Sequence, residues 1–361
     1  MSEENYRKQY NLFDVNFDHW ERESDVASPE DIYRLLRKVG HSCSSSEMNK
    51  DVILRLKKWN PSWAMAGNKK SRKKNMKQTH HEVKLLSAGR TIYLSRDVLT
   101  AIKRSELYSA DVLCYITDMS QKEHFHKLCS TLDYFGYPDV AEKIDFVGFG
   151  KLEGMSTRAG TGLSLESVVQ EALELQAETM EKQKSTYLKH NFEQLDDLTK
   201  KKHAAWFVAA SVFSSKRQKD LKFNWQLHLK NDNGMYLQRT YSKIKNLLSK
   251  NNARTRQMVI TDDADFSAFA LEPHWRELLE FSASYSNARE KSISELDGFI
   301  LLQFGLRLGQ LAHKVMSKDE KWIELDQNSK ELYERIILFE CILQIFEDLL
   351  NILGYKPTDQ F

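Results

Sequence analysis

Asp111-Val-Leu-Cys-Tyr-Ile-Thr117, then Gln121 to Phe135, then Ile144-Asp-Phe-Val-Gly-Phe149 are the three stretches that decide the fold class. The first is a continuous apolar run with the length and β-rich content of a buried parallel strand. The second has helical periodicity and stops at Gly136-Tyr137-Pro138, a turn signal that helices do not cross. The third is again strand-like. Strand, helix, strand in succession predicts an α/β sheet, because parallel neighbours need a crossover and a helix usually provides it.

Upstream of this unit, Ser28, Pro29 and Glu30 open a helix carrying Ile32, Tyr33, Leu35, Leu36 and Val39, which Gly40 closes. The segment His41 to His81 lacks clear periodicity and reads as an inserted, partly disordered excursion with a turn at Asn60-Pro61 and a polar loop at His80-His81. Its cluster Lys69, Lys70, Arg72, Lys73, Lys74 and Lys77 reads as a mobile basic loop. Glu82 to Leu86 and Thr91 to Leu94 read as two strands joined by Ser87-Ala88-Gly89-Arg90, and Arg96 to Ser105 as a short helix.

After Gly162 the pattern changes. Leu163 to about Ala210, Gly234 to Leu248, His274 to Ser284, Ser294 to Met316 and Lys330 to Leu353 are long stretches of period 3.6, with a C-cap at Leu353-Gly354 and a stop at Pro357. An α/β part is therefore followed by an all-α part, with the boundary near residues 160 to 175. The composition agrees. A chain of 361 residues is long enough for two domains, and its 14 Gly and 5 Pro make about 5%, where about 12% is usual, which argues against a turn-dense all-β or a disordered protein. No apolar run approaches the roughly 20 residues of a membrane span, and Met1 to Tyr10 is too charged for a secretory signal. The scattered Cys43, Cys114, Cys129 and Cys341 suit reduced thiols in a protein that is not secreted.

Charge is unevenly spread. From Glu181 to Arg254, 16 Lys and Arg stand against 6 Asp and Glu, in a chain whose net charge is only +2. Such a surplus fits a face that binds a polyanion, and equally a solvated basic helical surface. The stretch Gly148 to Gly162 sets five glycines among hydroxyls and Arg158 directly after a strand. Glycines let backbone N–H groups approach an anion, so the stretch suits phosphates, although a plain flexible loop would look the same. It has neither the Walker lysine spacing nor a dinucleotide fingerprint. Tyr93 and Asp97 flank a strand-to-helix junction beside Arg96. A carboxylate next to a phenol suits a guanidinium, which takes a bidentate acceptor and stacks on an aromatic ring; an ordinary first-turn carboxylate is the other reading of Asp97. His124 and His126 point to different helix faces and have no further ligands at matching spacing, so no metal site is expected.

Several of these motifs together resemble arginyl-tRNA synthetases, class I aminoacyl-tRNA synthetases, and look closest to the mitochondrial and eukaryotic-type branch. Val147 to Gly160 is similar to the family's Phe-Gly…Gly-Met-Ser-Thr-Arg-Lys-Gly, its form of the Lys-Met-Ser-Lys-Ser loop. Tyr93-Leu-Ser-Arg-Asp97 is similar to the Tyr-x-Thr-Arg-Asp that holds the substrate guanidinium, and Phe17 to Ser24 to Phe-Asp-x-Tyr-x-Gly-Glu-Ser. Gln121 falls at the arginine-binding glutamine. Lys222 to Gln226 with Asn233 to Tyr241 looks like the Phe-x-Trp-Asp…Thr-Gly-x-Tyr-Leu-Gln-Tyr-x-His that opens the anticodon-binding bundle.

The resemblance implies the C-terminal part of a Rossmann-type catalytic domain over residues 1–165, with a basic insertion near 41–81, followed by a helical anticodon-binding bundle of the DALR type over 166–361. It implies an arginine–tRNA ligase: ATP-dependent activation of arginine, then transfer to tRNA(Arg), with Mg2+ accompanying ATP and no protein-bound metal. Tyr93, Asp97 and Gln121 would recognise arginine, Met155, Ser156, Thr157 and Arg158 would serve the reaction at the pyrophosphate side, and Gly154 and Gly160 would shape the ATP loop. Tyr236, Gln238, Arg239, Tyr241 and Lys243 would meet tRNA. The family's His-Ile-Gly-His signature and its tRNA-elbow domain are not among these residues, and Ala159, Gln226, Arg239 and Tyr241 depart from its usual pattern. These departures point to impaired or lost activity, with a non-catalytic tRNA-binding module as the alternative. A monomer in the mitochondrion or cytoplasm, without membrane association, completes the expectation.

Overall fold

The computed structural model describes residues 3–21, 28–41, 50–59, 61, 80–154, 164–181, 193–255, 272–318 and 330–358. They gather into two units, Phe17–Lys151 and Met1–Asn16 with Leu152–Phe361. Helix α1 (Glu3–Asn11) belongs to the second unit. The first unit begins with α2 (Pro29–Lys38), where the Ser28 N–H donates to Asp31 Oδ2 at 3.1 Å, and the helix buries Ile32, Tyr33, Leu35 and Leu36.

Next comes an antiparallel sheet of β1 (Val52–Lys57), β2 (His80–Ser87) and β3 (Arg90–Thr91). Strand β1 corrects the reading of residues 41–81 as an excursion without periodicity. Leu56 is buried while Arg55 and Lys57 face outward, but Ile53 is also 51% exposed, and that apolar outward residue hides the period-2 signal. His80 and His81 open β2 instead of forming a polar loop, and His81 is buried with its Nδ1 3.1 Å from Glu123 Oε1. The cluster from Lys69 to Lys77 lies outside the described residues.

Helix α3 (Tyr93–Tyr108) is longer than the expected Arg96 to Ser105 and takes Tyr93 and Leu94 out of the expected second strand. Ser95 makes the switch: its Oγ accepts from the Ile92 N–H at 2.9 Å and donates to the Ile92 carbonyl at 2.8 Å, closing the first turn early.

Strands β4 (Leu113–Asp118) and β5 (Ile144–Phe149) pair in parallel from Leu113 opposite Ile144 to Asp118 opposite Phe149. Their crossover is α4 (Lys122–Tyr134) and α5 (Pro138–Lys143). The parallel pairing is as the sequence predicts; the burial is not. Phe125 of α4 covers one face, with its ring 5.1 Å from both Tyr115 and Phe146. On the other, Ile116 is 72% exposed and Cys114 is open to solvent.

In the second unit, β6 (Leu152–Glu153) precedes α6 (Leu165–Glu181) and α7 (Asp197–Phe213), and pairs in parallel with β7 (Leu221–Lys222). Within the expected run from Leu163 to Ala210, the described residues include α6 and, separately, α7, which is capped by Asp196 Oδ1 accepting from the Thr199 N–H at 2.9 Å. Helices α8 (Trp225–Lys230), α9 (Asn233–Thr255), α10 (Pro273–Ala283), α11 (Tyr285–Glu295), α12 (Gly298–Lys318) and α13 (Lys330–Ile352) follow among the described residues. The sequence reading missed α11, whose polar face carries little periodicity. Leu237, Trp275, Leu308, Phe339 and Phe346 are among the residues of a core that α9, α10, α12 and α13 share. Among the described residues no helix is long and apolar enough to cross a membrane.

Burial holds the His126 imidazole down at about 4, with Lys58 acting in the same direction, and burial also lowers His81. A folded-state value below the free value near 6.5 means that folding favours the neutral ring. Its stabilising contribution is complete above about pH 6.5 and is lost as the pH falls towards 4. The urea midpoint of the protein should therefore drop between pH 7 and pH 5, and the drop should be smaller in His126→Gln. An equal drop in the variant would show that His126 is not responsible.

Candidate functional site

The carboxyl end of β4 gathers the proposed small-molecule contacts of the first unit. Asp118 ends the strand, and its Oδ1 accepts from the Ser120 N–H at 2.7 Å, which turns the chain through a short 3-10 helix, Met119–Gln121. Hydrogen bonds from Ser120 hold the Asp118 carboxyl below its usual range. Gln121 is exposed and caps α4. One turn further on, His124 Nε2 lies 2.6 Å from Asp97 Oδ2 of α3, so this bond ties the helix carrying Tyr93 and Asp97 to the helix that Gln121 opens. Tyr93 is 73% exposed, and the Arg96 guanidinium sits 5.9 Å from its ring centre.

Beneath this cluster, burial pushes the Tyr115 phenol up, the Arg104 guanidinium pulls it back, and Asp97 adds to the rise. Arg104 in turn donates from Nε to Glu21 Oε2 at 2.9 Å. The site is thus an open carboxylate and phenol above a partly exposed charged pair, Arg104 and Glu21, at the end of a parallel strand where α/β folds bind ligands. Sequence spacing brings up His124 only as a metal ligand. Its position three residues after Gln121, on the first turn of α4, was the signal that it shares this end of the strand. Among the described residues, no three His, Cys, Asp or Glu side chains gather in a way that could hold a metal ion.

Two glycines mark close approaches around the loop that follows β5. At Gly148 a Cβ would stand 2.3 Å from Met119 Sδ and 2.7 Å from the Phe146 ring, so a side chain there would displace both. Gly154 has φ +81°, and a Cβ there would meet the Phe223 carbonyl oxygen at 2.7 Å, next to the bond from the Phe223 N–H to the Glu153 carbonyl. Met155, Ser156, Thr157, Arg158 and Gly160 lie outside the described residues.

The residues expected to meet tRNA divide by burial along α9. Gln238 is fully buried: its Nε2 donates to the Thr358 carbonyl at 2.6 Å, and its Oε1 accepts from Tyr355 OH at 3.0 Å. Tyr241 is also interior, with its hydroxyl donating to Glu347 Oε1 at 2.8 Å. Both side chains reach other parts of the unit instead of solvent, because they fall on the core-facing side of the helix. Lys243 is exposed, and Tyr236 and Arg239 are half-buried.

A family model described as the catalytic domain of class I (R) tRNA synthetases matches residues 3–225, and one for the DALR anticodon-binding domain matches residues 237–361. The chain belongs to the arginyl-tRNA synthetase family. It is 25% identical over 364 residues to the mitochondrial arginine–tRNA ligase of Saccharomyces cerevisiae, covering 100% of this chain and 52% of that protein. It is 26% identical to the cytoplasmic arginine–tRNA ligase of the same yeast, of which 55% is covered. Among solved structures, the arginyl-tRNA synthetase of Plasmodium falciparum superposes with a TM-score of 0.69 at 16% identity, over 100% of this chain and 57% of that one, a likeness of fold. The chain spans about half the length of the curated relatives it matches. Its architecture is that of a class I catalytic domain followed by a helical DALR domain, and its homologues are ligases.

Gly154→Ala places an L side chain at positive φ against a carbonyl oxygen. It should cost about 1–2 kcal/mol in urea unfolding, and an unchanged midpoint would mean that the turn into the loop is not constrained.

Proposed function

We propose that the chain serves arginine–tRNA ligation: arginine is recognised at the end of β4, ATP is met by the loop from Gly154 to Gly160, and tRNA(Arg) by the helical part, with 1–165 and 166–361 as the working division. The observation that carries this reading is the Asp97–His124 bond, which fixes an accessible carboxylate beside Tyr93 and Gln121. The carboxylate takes the guanidinium, the Tyr93 ring covers its flat face, and Gln121 orients the substrate. In the reaction the arginine carboxylate attacks the α-phosphorus of ATP and releases pyrophosphate. The terminal ribose hydroxyl of tRNA then attacks the acyl carbon and releases AMP. Met155, Ser156, Thr157 and Arg158 act at the pyrophosphate side, where charge develops, and Mg2+ accompanies the ATP. No strong nucleophile is required of the protein, since positioning and charge stabilisation carry such a reaction.

A second reading, a tRNA-binding module without ligase activity, is favoured by the solvent-exposed face of β4, where Ile116 is 72% exposed in a sheet type that is ordinarily covered on both faces. We propose on this ground that the 361-residue chain by itself has impaired activity, and that it works as a monomer in the mitochondrion or the cytoplasm.

Three measurements test this. Arginine-dependent pyrophosphate exchange by the purified chain with tRNA should stay at background; clear turnover would refute impairment. Filter retention of tRNA should weaken steeply with salt, through the basic surplus between Glu181 and Arg254. Absent or salt-insensitive retention would remove the tRNA reading. Asp97→Asn should weaken arginine binding about tenfold or more, by loss of a charge-assisted bond, and leave tRNA retention unchanged.

A further inference from the structure

The stretch from Phe17 to Glu21 is singled out by the sequence but has no part in the proposed arginine seat. It lies along the C-terminal half of α3. The His19 ring stands 5.1 Å from that of Tyr108, and one turn back the Arg104 guanidinium donates to Glu21 Oε2, from Nε at 2.9 Å and from Nη2 at 2.5 Å. These four side chains line an open cleft of about 320 Å3. Among the described residues Glu21 supplies the only carboxylate bonded to Arg104, and the two side chains are 30% and 34% exposed.

Arg104 follows Asp97 by two turns of the same helix, so the two fall on one stripe, about 10.5 Å apart along the axis. Ala101 stands between them on that stripe, small and buried. Side chains on a helix lean towards its N-terminus, which for Arg104 is the direction of Asp97. Tyr115 of β4 registers both charges: the guanidinium, with its Cζ 5.9 Å from the ring centre, favours the phenolate, and Asp97 disfavours it. The chain thus carries a guanidinium of its own two turns below the carboxylate that the proposed function assigns to the substrate's.

We propose that Glu21 is a positioning residue for arginine binding: it neutralises and holds Arg104, and so keeps this resident guanidinium from competing with the substrate for Asp97. A tethered cation needs no diffusional encounter, so once released it competes with free arginine even where its own contact with Asp97 is weak. In the family-like pattern Phe-Asp-x-Tyr-x-Gly-Glu-Ser, Glu21 falls at an open position, and the resemblance assigns it no role. The inference rests on the reading of Asp97 as the guanidinium acceptor and deepens it by naming the residue that keeps this acceptor free.

Equilibrium dialysis of radiolabelled arginine against the full chain tests it. Glu21→Gln should weaken binding about fivefold, the size expected of one unneutralised like charge several ångströms away. Glu21→Gln combined with Arg104→Met removes both ends of the pair and should bind within twofold of the wild type, as should Arg104→Met alone. A strap that matters only for packing gives the opposite order, with the double variant the weakest, because it also loses the contacts of the arginine stem. Glu21→Gln binding like the wild type, or a double variant no better than Glu21→Gln, overturns the inference. Asp97→Asn controls the site itself: if the wild type takes up no arginine, or Asp97→Asn takes up as much, the seat is misplaced and the role of Glu21 falls with it.

Discussion

Parallel pairing of β4 with β5 is the constraint on which the first unit depends. Two parallel strands cannot be joined by a tight turn, so the chain must travel through α4 and α5 before β5 begins. That crossover brings the 3-10 turn after β4 and the glycine-bearing end of β5 to the same edge of the ladder, where Gly148 admits Met119. It also sets α4 against α3, and so makes the Asp97–His124 bond possible. Without the ladder, Asp97 would be one more carboxylate on an exposed helix.

The helical unit rests on a different device, a buried polar seam. His203 lies 2.8 Å from the Tyr355 hydroxyl, which donates to Gln238, and Gln238 in turn holds Thr358. Burial pushes the Tyr355 phenol up and brings His203 down to about 4, so both stay neutral over the ordinary pH range and the seam contains no buried charge to compensate. The chain end is fastened to α9 by this seam and by a stacked pair, Trp206 on Tyr355 with ring centres 4.8 Å apart. Gln238 and Tyr241 therefore lie inside the bundle, whereas Lys243 is exposed and Arg239 and Tyr236 are half-buried.

The long-range order of the fold was legible because strand, helix and strand around Asp111 to Phe149, and five helical stretches after Gly162, carry strong periodicity. What escaped the sequence reading has local causes. Ile53 faces solvent and hides the alternation of β1, while Ser95 closes a first turn that starts the helix at Tyr93, three residues before the expected Arg96. In the site, the spacing of Tyr93 and Asp97 on one helix is read directly from the sequence, and the place of His124 near Gln121 is too, but its bond to Asp97 is not, since that partner lies 27 residues away. Burial was the other blind spot: Gln238 is a polar residue on a core-facing position, and only the return of the chain end to α9 satisfies it.

The carboxylate that His124 holds is the one proposed to receive a guanidinium. An imidazole nitrogen bonded to that carboxylate reports directly on any cation that competes for it. Titrating arginine into the selectively 15N-histidine-labelled chain, with His124→Gln used to assign the signal, should shift the His124 side-chain resonances saturably, and lysine at equal concentration should leave them in place. Resonances that ignore arginine, or that answer lysine equally, would contradict the account.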